Sequence, residues 1–588
     1  MSNEFSPEQK RYLEGFVAGA SAAKTAIQRP AATPIAPQPS GPDAAHLAAM
    51  ARFEQAGSKL NDQEKWKREE HPFDAYQRLK EQSLKGEYPK PNDNFRWRYH
   101  GLFYVAPAQD SYMCRLRIPN GILTSWQMER IAELAQKHGG GFAHVTTRAN
   151  LQIREITAEH AVPLIEGLAD IGLAPKGAGA DNIRNVTGSP TAGICADELH
   201  DTRADAKAWN RHILEDRSLT GLPRKFNVAF DGGGRLAVLE ETNDIAFTAV
   251  RVLEGQVVAA GVAYRLGLGG ITGHRDLARD TGIVIQTGDA IAVADAIVRV
   301  FIDTGDRTDR KKARLKYVLD TLGIDAFLKR VEDKLGHPLP RVPQSALAPR
   351  GPIDRLGHIG AHAQRQPGLS YLGIVLSVGK MTSHQMKGLA DIARRYGDGD
   401  LRLTVWQNLL ISGIANADLA MVEDAVRALG LETNATTLRA GLVACTGSAG
   451  CKFAAADTKA TAEEIAVYVD RRLSLDQPVN VHITGCHHSC AQHYIGDIGL
   501  IGARVAINDD GDSVDGYDIV VGGGYGPDAA IGREIAKGIP RTETPEAVRR
   551  LLAAWIEGRS SETESFQAFT KRHSSEALKA FATMAGDP

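Results

Sequence analysis

No stretch of the 588 residues approaches the roughly 18 consecutive apolar residues of a membrane helix, so no helical span is expected. The opening MSNEFSPEQK has no basic segment running into an apolar core, so no export signal is expected and the chain reads as soluble and cytoplasmic. An excess of one charge is missing as well: 69 Lys and Arg stand against 71 Asp and Glu. Nothing global therefore recruits nucleic acid or an acidic membrane, and any anion must be held by local clusters. Cysteine is scarce. Six in so long a chain cannot form a disulfide framework, which leaves metal ligands, nucleophiles or packed thiols. What is there is an ordinary globular balance, 43% hydrophobic and 24% charged, at a length that suits about three or four domains.

Residues 7–27 read as a helix: Ser6, Pro7 and Glu8 start it, and Tyr12, Phe16, Ala20, Ala23 and Ile27 make a stripe. The segment 29–43 carries Pro30, Pro34, Pro37, Pro39 and Pro42 and reads as a linker, with the helix before it an expendable decoration. The dominant global feature is an internal repeat. GILTSWQMERIAELAQKHGGGFAHVTTRANLQI (121–153) matches GKMTSHQMKGLADIARRYGDGDLRLTVWQNLLI (379–411) at a constant offset of 258. Thr187-Gly188-Ser189 then falls opposite Thr446-Gly447-Ser448 after a one-residue slip. Each copy reads strand, turn, helix, Gly-rich turn, strand. Two long copies imply a pseudo-twofold molecule with room for a flat cofactor at its axis, and exclude a solenoid.

Alternation marks unusual strand faces. Tyr112, Cys114, Leu116 and Ile118 share one face, Arg115 and Arg117 the other. Over His144–Arg154, read as one strand, Val145, Ala149, Leu151 and Ile153 face one way and Thr146, Arg148, Asn150, Gln152 and Arg154 the other. A half-exposed strand with a solvated polar face is the plain reading; Arg, Asn and Gln without Lys or Glu, twice over, suit a polyanion instead.

Four cysteines form two clusters, Cys445-x5-Cys451 and Cys486-x3-Cys490, 34 residues apart. Zinc knuckles favour tighter C-x2-C spacing, whereas two loops can enclose an Fe–S cube, one Cys per iron. A four-thiolate zinc site and unrelated buried thiols are the alternatives. His482, His487, His488 and His493 lie nearby and read as neighbours of the site rather than ligands. Cys114 and Cys195 read as packed thiols.

The C-x5-C…C-x3-C pattern, the TG before Cys486 and the CAQ…DIGL continuation resemble the ferredoxin-dependent nitrite and sulfite reductase family, from about Phe95 to about Gly524. The resemblance implies a [4Fe–4S] cluster on Cys445, Cys451, Cys486 and Cys490, with Cys490 bridging to the iron of a siroheme. It implies that Arg117, Arg148, Asn150 and Gln152 help hold the siroheme carboxylates, and that Arg115, Arg184, Lys225 and Asn227 line the substrate side. The run DRTDRKKARLKY (306–317) resembles another segment near the cofactor, with a solvated basic helix face as its alternative. His487-His488 stand where many relatives have Pro-Asn. No GxGxxG unit is evident, so electrons come from a separate donor, ferredoxin by analogy.

The expected fold is α+β with a pseudo-twofold internal repeat. Its parts are an N-terminal helix (1–28), a linker (29–43), a wrapping segment (44–107), two ferredoxin-like half-domains (108–175 and 350–433) and two α/β siroheme and Fe–S lobes (176–349 and 434–588). The expected activity is six-electron reduction of nitrite, since the family's LPRK segment tends to end in Asn, here Asn227, in nitrite-reducing members and in Lys in sulfite-reducing ones. Sulfite reduction on the same scaffold is the second reading. A non-catalytic Fe–S carrier or sensor is the third, and it leaves Arg115, Arg184 and Lys225 without a purpose.

Overall fold

The computed structural model describes residues 40–508 and 511–583, so the expected helix at 7–27 and the linker up to residue 39 lie outside the described residues. Among the described residues, twenty strands form four five-stranded sheets. The first sheet runs Leu102–Tyr104, Tyr112–Arg115, Leu151–Ile156, Phe142–Val145 and Lys380–Thr382; the second runs Gly360–Ala363, Leu369–Ile374, Leu409–Ala415, Asp400–Leu403 and Ile122–Thr124. Each half-domain thus lends one strand to the other. The exchange obeys the repeat: Thr382 pairs with Phe142 and Asp400 with Thr124, each residue being the 258-shifted mate of the other pair's partner.

Local chemistry explains why the two copies agree. Thr124 with Gln127 and Thr382 with Gln385 form capping boxes at the starts of Ser125–His138 and Ser383–Tyr396, each worth about 1 kcal/mol to its helix. Gly121 (φ 70°) and Gly379 (φ 77°) turn the chain into the lent strands. A side chain at Gly121 would also stand 2.8 Å from the Ala149 Cβ, so glycine is needed there twice over. Leu116, Ile131, Leu151 and Ile153 join Leu389, Leu401, Leu403 and Ile411 in one apolar core across both half-domains.

The lobes repeat one another too. Thr187–Gly188, Val228–Asp231 and Ile245–Val252 run parallel, then Gly261–Leu268 and Arg279–Ile285 complete the sheet antiparallel. Leu442–Ala444, Val481–Thr484 and Ile498–Ala506 run parallel, followed by antiparallel Ser513–Val521 and Arg533–Pro540. The helical segment from residue 40 clamps the first lobe, through Arg307 on Glu64 (2.6 Å) and Arg217 on Asp43 (2.9 Å). No helix of the described residues is long and apolar enough to cross a membrane.

One strand expectation is overturned. His144–Arg154 is two antiparallel strands, Phe142–Val145 and Leu151–Ile156, joined by a turn in which the Thr146 amide donates to the Asn150 carbonyl (2.8 Å) and Ala149 takes φ 46°. Thr147 and Arg148 therefore sit on a tight turn aimed at the lobes rather than on a flat polar face.

Candidate active site between the lobes

The four cysteines are gathered by strand pairing. Leu442–Ala444 and Val481–Thr484 are parallel neighbours, with Ala444 opposite Ile483, so both cysteine loops leave the same end of the sheet. The Cys445 amide donates to the Ile483 carbonyl (3.0 Å), and the Gly485 amide donates to the Cys445 Sγ (3.2 Å). Among the described residues no three His, Cys, Asp or Glu side chains are close enough to hold one metal ion. Two loops leaving one end of the sheet can bring four thiols to a cube, one Cys per iron, whereas zinc sites favour tighter knuckles.

Cys490 is exposed, yet burial is the main cause that pushes its thiol up to about 12, with the other cysteines adding and Lys225 opposing. It opens into an enclosed recess rather than into bulk water. A thiolate there calls for a metal, whose charge deprotonates its ligand. Cys114 is buried in the apolar core of the half-domains, and Cys195 is buried beside Gly234.

The recess is walled by cations. The Arg115 guanidinium makes no hydrogen bond to the described residues and lies over the Phe103 ring at 4.8 Å. Arg148 donates to the Asn243 Oδ1 and the Asn185 carbonyl, each at 2.7 Å, and Arg184 to the carbonyls of Ala178 and Ala180 (2.7 and 2.8 Å). The Nε atoms of Arg98, Arg148 and Arg184 are buried without partners. Lys225 makes no hydrogen bond among the described residues; burial first, then Arg314, lower it to about 7 against the opposing pull of Cys490. Arg98, Arg115, Arg148, Arg184, Arg224 and Lys225 share this region with two buried carboxylates. Those two are already engaged, Asp181 by Arg310 (2.7 Å) and Asp244 by Arg314 (2.7 Å). Buried charge so far out of balance is stabilised by a bound polyanion; the unpartnered donors and the excess of cations fit a tetrapyrrole with eight carboxylates.

The remaining expected residues divide. Arg117 is turned away: its guanidinium donates to the carbonyls of Lys176, Ile183 and Arg184 and to the Asn210 Oδ1, so it braces the chain under Arg184. Asn150 is buried, its Nδ2 on the Leu116 carbonyl and its Oδ1 unpartnered. Gln152 is half-buried, with one long contact from Arg154 (3.4 Å). Asn227 is half-buried; its amide donates to the Asp244 Oδ2 (2.8 Å), and its side chain has no hydrogen bond among the described residues.

The 306–317 run is not a solvated basic helix face. Its helix begins only at Leu315, and before it Arg307, Arg310 and Arg314 are each drawn to a buried carboxylate. His482 is buried with its Nδ1 on the Ala491 carbonyl, while the Cys486 Sγ lies 3.2 Å from the His488 Nδ1. Sequence reading missed Arg98, Arg224, Asp181 and Asp244; Arg224 was within reach, as the neighbour of Lys225 in LPRKFN.

The known-protein comparisons agree with this geometry. Residues 179–339 and 437–568 match the nitrite and sulphite reductase 4Fe-4S domain, and residues 106–171 and 362–429 match the nitrite/sulfite reductase ferredoxin-like half domain. The chain belongs to the nitrite and sulfite reductase family. It is 35% identical to a ferredoxin–nitrite reductase of Synechococcus elongatus, over 86% of this chain and 98% of the relative. It is 36% identical to one of Leptolyngbya laminosa, over 84% and 97%. The structure of the Mycobacterium tuberculosis NirA protein superposes with a TM-score of 0.80 at 28% identity, covering 89% of this chain and 98% of that one. The family's two matched units coincide with the paired half-domains and the two lobes of this α+β fold.

Proposed function

We propose that this protein is a cytoplasmic reductase that converts nitrite to ammonium: NO2⁻ + 6 e⁻ + 8 H⁺ → NH4⁺ + 2 H2O. The observation that carries the reading is the nearness of Cys490 to the cations Arg115 and Lys225, which have no carboxylate partner among the described residues. Cys445, Cys451, Cys486 and Cys490 would hold the [4Fe–4S] cluster, and Arg148 and its neighbours would take the siroheme carboxylates. When bound, the coupled siroheme and cluster supply the iron site and the electrons.

The chain's own residues hold the anion and feed it protons. Arg115 and Arg184 present fixed donors in a dry recess, where charge stabilisation is strongest. Lys225, lowered to about 7 by burial, holds a proton that it can release near neutrality, as loss of each nitrite oxygen as water requires. Asn227 adds a neutral donor beside it, which suits a singly charged substrate. The electron donor is a separate protein, ferredoxin by analogy with the ferredoxin–nitrite reductases it resembles. Thiols kept for a cluster suit the reducing cytoplasm.

Steady-state turnover of nitrite and of sulfite by the purified holoenzyme, with reduced methyl viologen as donor, tests the reading. Preference for sulfite overturns the substrate assignment. A visible spectrum with cluster absorption but no tetrapyrrole band would mark an electron carrier instead.

A further inference from the structure

Arg154 reaches from the strand Leu151–Ile156 of the first half-domain into the cysteine loop of the second lobe. Its Nη2 donates to the Gly450 carbonyl at 2.7 Å, and its Nη1 makes a longer contact with the Thr446 Oγ1 at 3.4 Å, so the fork clasps both ends of the segment between Cys445 and Cys451. The fit is close: a Cβ on Gly450 would stand 2.3 Å from that Nη2. Arg154 is only 3% exposed, and no carboxylate pairs with it among the described residues. Lys459 is a second cation near Cys445, with Glu463 also among its charged neighbours. It is the second residue of the helix Thr458–Asp470, and its Nζ donates to the Val378 carbonyl. The preceding Thr458 hydroxyl donates to the Cys445 carbonyl at 2.7 Å, so the positive end of that helix also points at the cysteine loop.

The other lobe supplies an internal comparison, although its clasp comes from a different repeat position: Arg402 stands opposite His144, and Arg154 opposite Ser412. In the other lobe the equivalent loop is clasped by Arg402, which donates to the carbonyls of Pro190 and Ala192 (3.2 and 2.8 Å). The two clasps differ in charge balance, for Arg402 has Asp400 at 3.5 Å and Asp398 at 3.9 Å. They differ in cargo as well. At the one-residue-slipped offset Cys445 and Cys451 coincide with Val186 and Ala192, so only the loop under the uncompensated arginine carries thiols.

We propose that Arg154, assisted by Lys459, is a potential-setting residue: its unpaired buried charge beside Cys445 and Cys451 raises the reduction potential of the cluster. Reduction adds negative charge to the cluster, and a fixed cation in a low-dielectric surrounding favours the reduced form. A donor of moderate potential can then charge the cluster. The inference rests on the assignment of the four cysteines to the cluster.

The test is a redox titration of the full-length holoprotein, following the reduced cluster by electron paramagnetic resonance in the wild type, R154Q, R154K, K459Q and R402Q. R154Q is expected to weaken cluster reduction by about tenfold, a fall of about 59 mV for a one-electron couple. K459Q falls in the same direction by less, R154K stays near the wild type, and R402Q does not move. Wild-type midpoints in R154Q and K459Q overturn the proposal, as does an equal fall in R402Q. If R154Q holds no cluster, an unshifted K459Q overturns it alone. Absence of any cluster signal from the wild type defeats the cysteine assignment instead.

Discussion

The Thr147 hydroxyl donates to the carbonyl of Cys490 across 3.0 Å, linking residues 343 apart in the chain. The tight turn between Val145 and Leu151 exists to make this reach, and it fixes the backbone of the cysteine assigned to both cofactors. Thr147→Val removes the donor while keeping the shape. Stability of the holoprotein is expected to fall by about 1 kcal/mol, the usual net value of one such bond, read as a lower urea midpoint. An unchanged midpoint would mean that the loop holds its position without the turn.

Cys490→Ser is expected to abolish nitrite turnover and to disrupt the coupled visible spectrum. Cys195→Ser leaves both nearly intact, because Cys195 is buried in the other lobe, where its Sγ would stand 3.1 Å from a Cβ on Gly234. Loss of the cofactors in the Cys195 variant, with retention in the Cys490 variant, reverses the ligand assignment.

Arg184→Ala is expected to lower kcat/KM for nitrite by roughly ten- to thousand-fold, the range for losing one preorganised charged donor. Arg184 also ties the carbonyls of Ala178 and Ala180, so Arg184→Lys, which keeps charge but not the fork, is the companion variant. Partial recovery in the lysine variant marks an electrostatic role; wild-type kinetics in the alanine variant remove Arg184 from the substrate pocket.

The pseudo-twofold was legible because its residues act locally: Thr124, Gln127 and Gly121 prescribe a cap and a turn wherever they recur. The exchange of strands was not, since nothing local says whether Thr124 pairs within its own copy or with Asp400. The hairpin at 146–150 was hidden for a different reason. Val145, Ala149, Leu151 and Ile153 share one parity across the turn, with only Thr147 out of pattern, and alanine is no signpost for a positive φ. Cysteine ligands and basic residues could be picked out by type. Their counter-charges could not, because Asp181 and Asp244 meet Arg310 and Arg314 only through the fold.

Two buried histidines give the stability a pH dependence. Burial lowers His100 to about 4 and His358 to about 3. The Nδ1 of His358 lies 3.0 Å from the Asn408 Nδ2 and accepts its hydrogen bond, as an unprotonated ring nitrogen does. An unfolded histidine titrates near 6.5, so below that pH the unfolded chain binds protons that the folded one refuses. Stability is therefore full above about pH 6.5 and falls as the pH drops toward 4, by up to about 1.4 kcal/mol per pH unit for each histidine. His358→Asn is expected to flatten the fall in urea midpoint between pH 7 and pH 5; an equally steep fall assigns the effect elsewhere.

Asn227 carries the substrate assignment and is the most exposed to test. Its amide is fixed on the Asp244 Oδ2, which also accepts from Arg314 at 2.7 Å, while its side chain has no partner among the described residues. Asn227→Lys adds a cation beside Lys225 and Arg314, in a recess already rich in them. Sulfite, substantially a dianion near neutral pH, gains more from that charge than monoanionic nitrite does. Desolvating the new ammonium group carries a cost, and the more highly charged anion offsets more of it. Asp244 can absorb part of the added charge, which limits the effect without changing its sign. The ratio of kcat/KM for sulfite to that for nitrite is expected to rise, about tenfold for each 1.4 kcal/mol of differential binding. The change falls in the sulfite KM if the lysine only holds the anion, and in kcat as well if it stabilises charge as oxygen leaves. Measuring both substrates on wild type and variant decides it: an unchanged ratio means that Asn227 does not sense substrate charge, and the preference for nitrite then rests on the relatives alone.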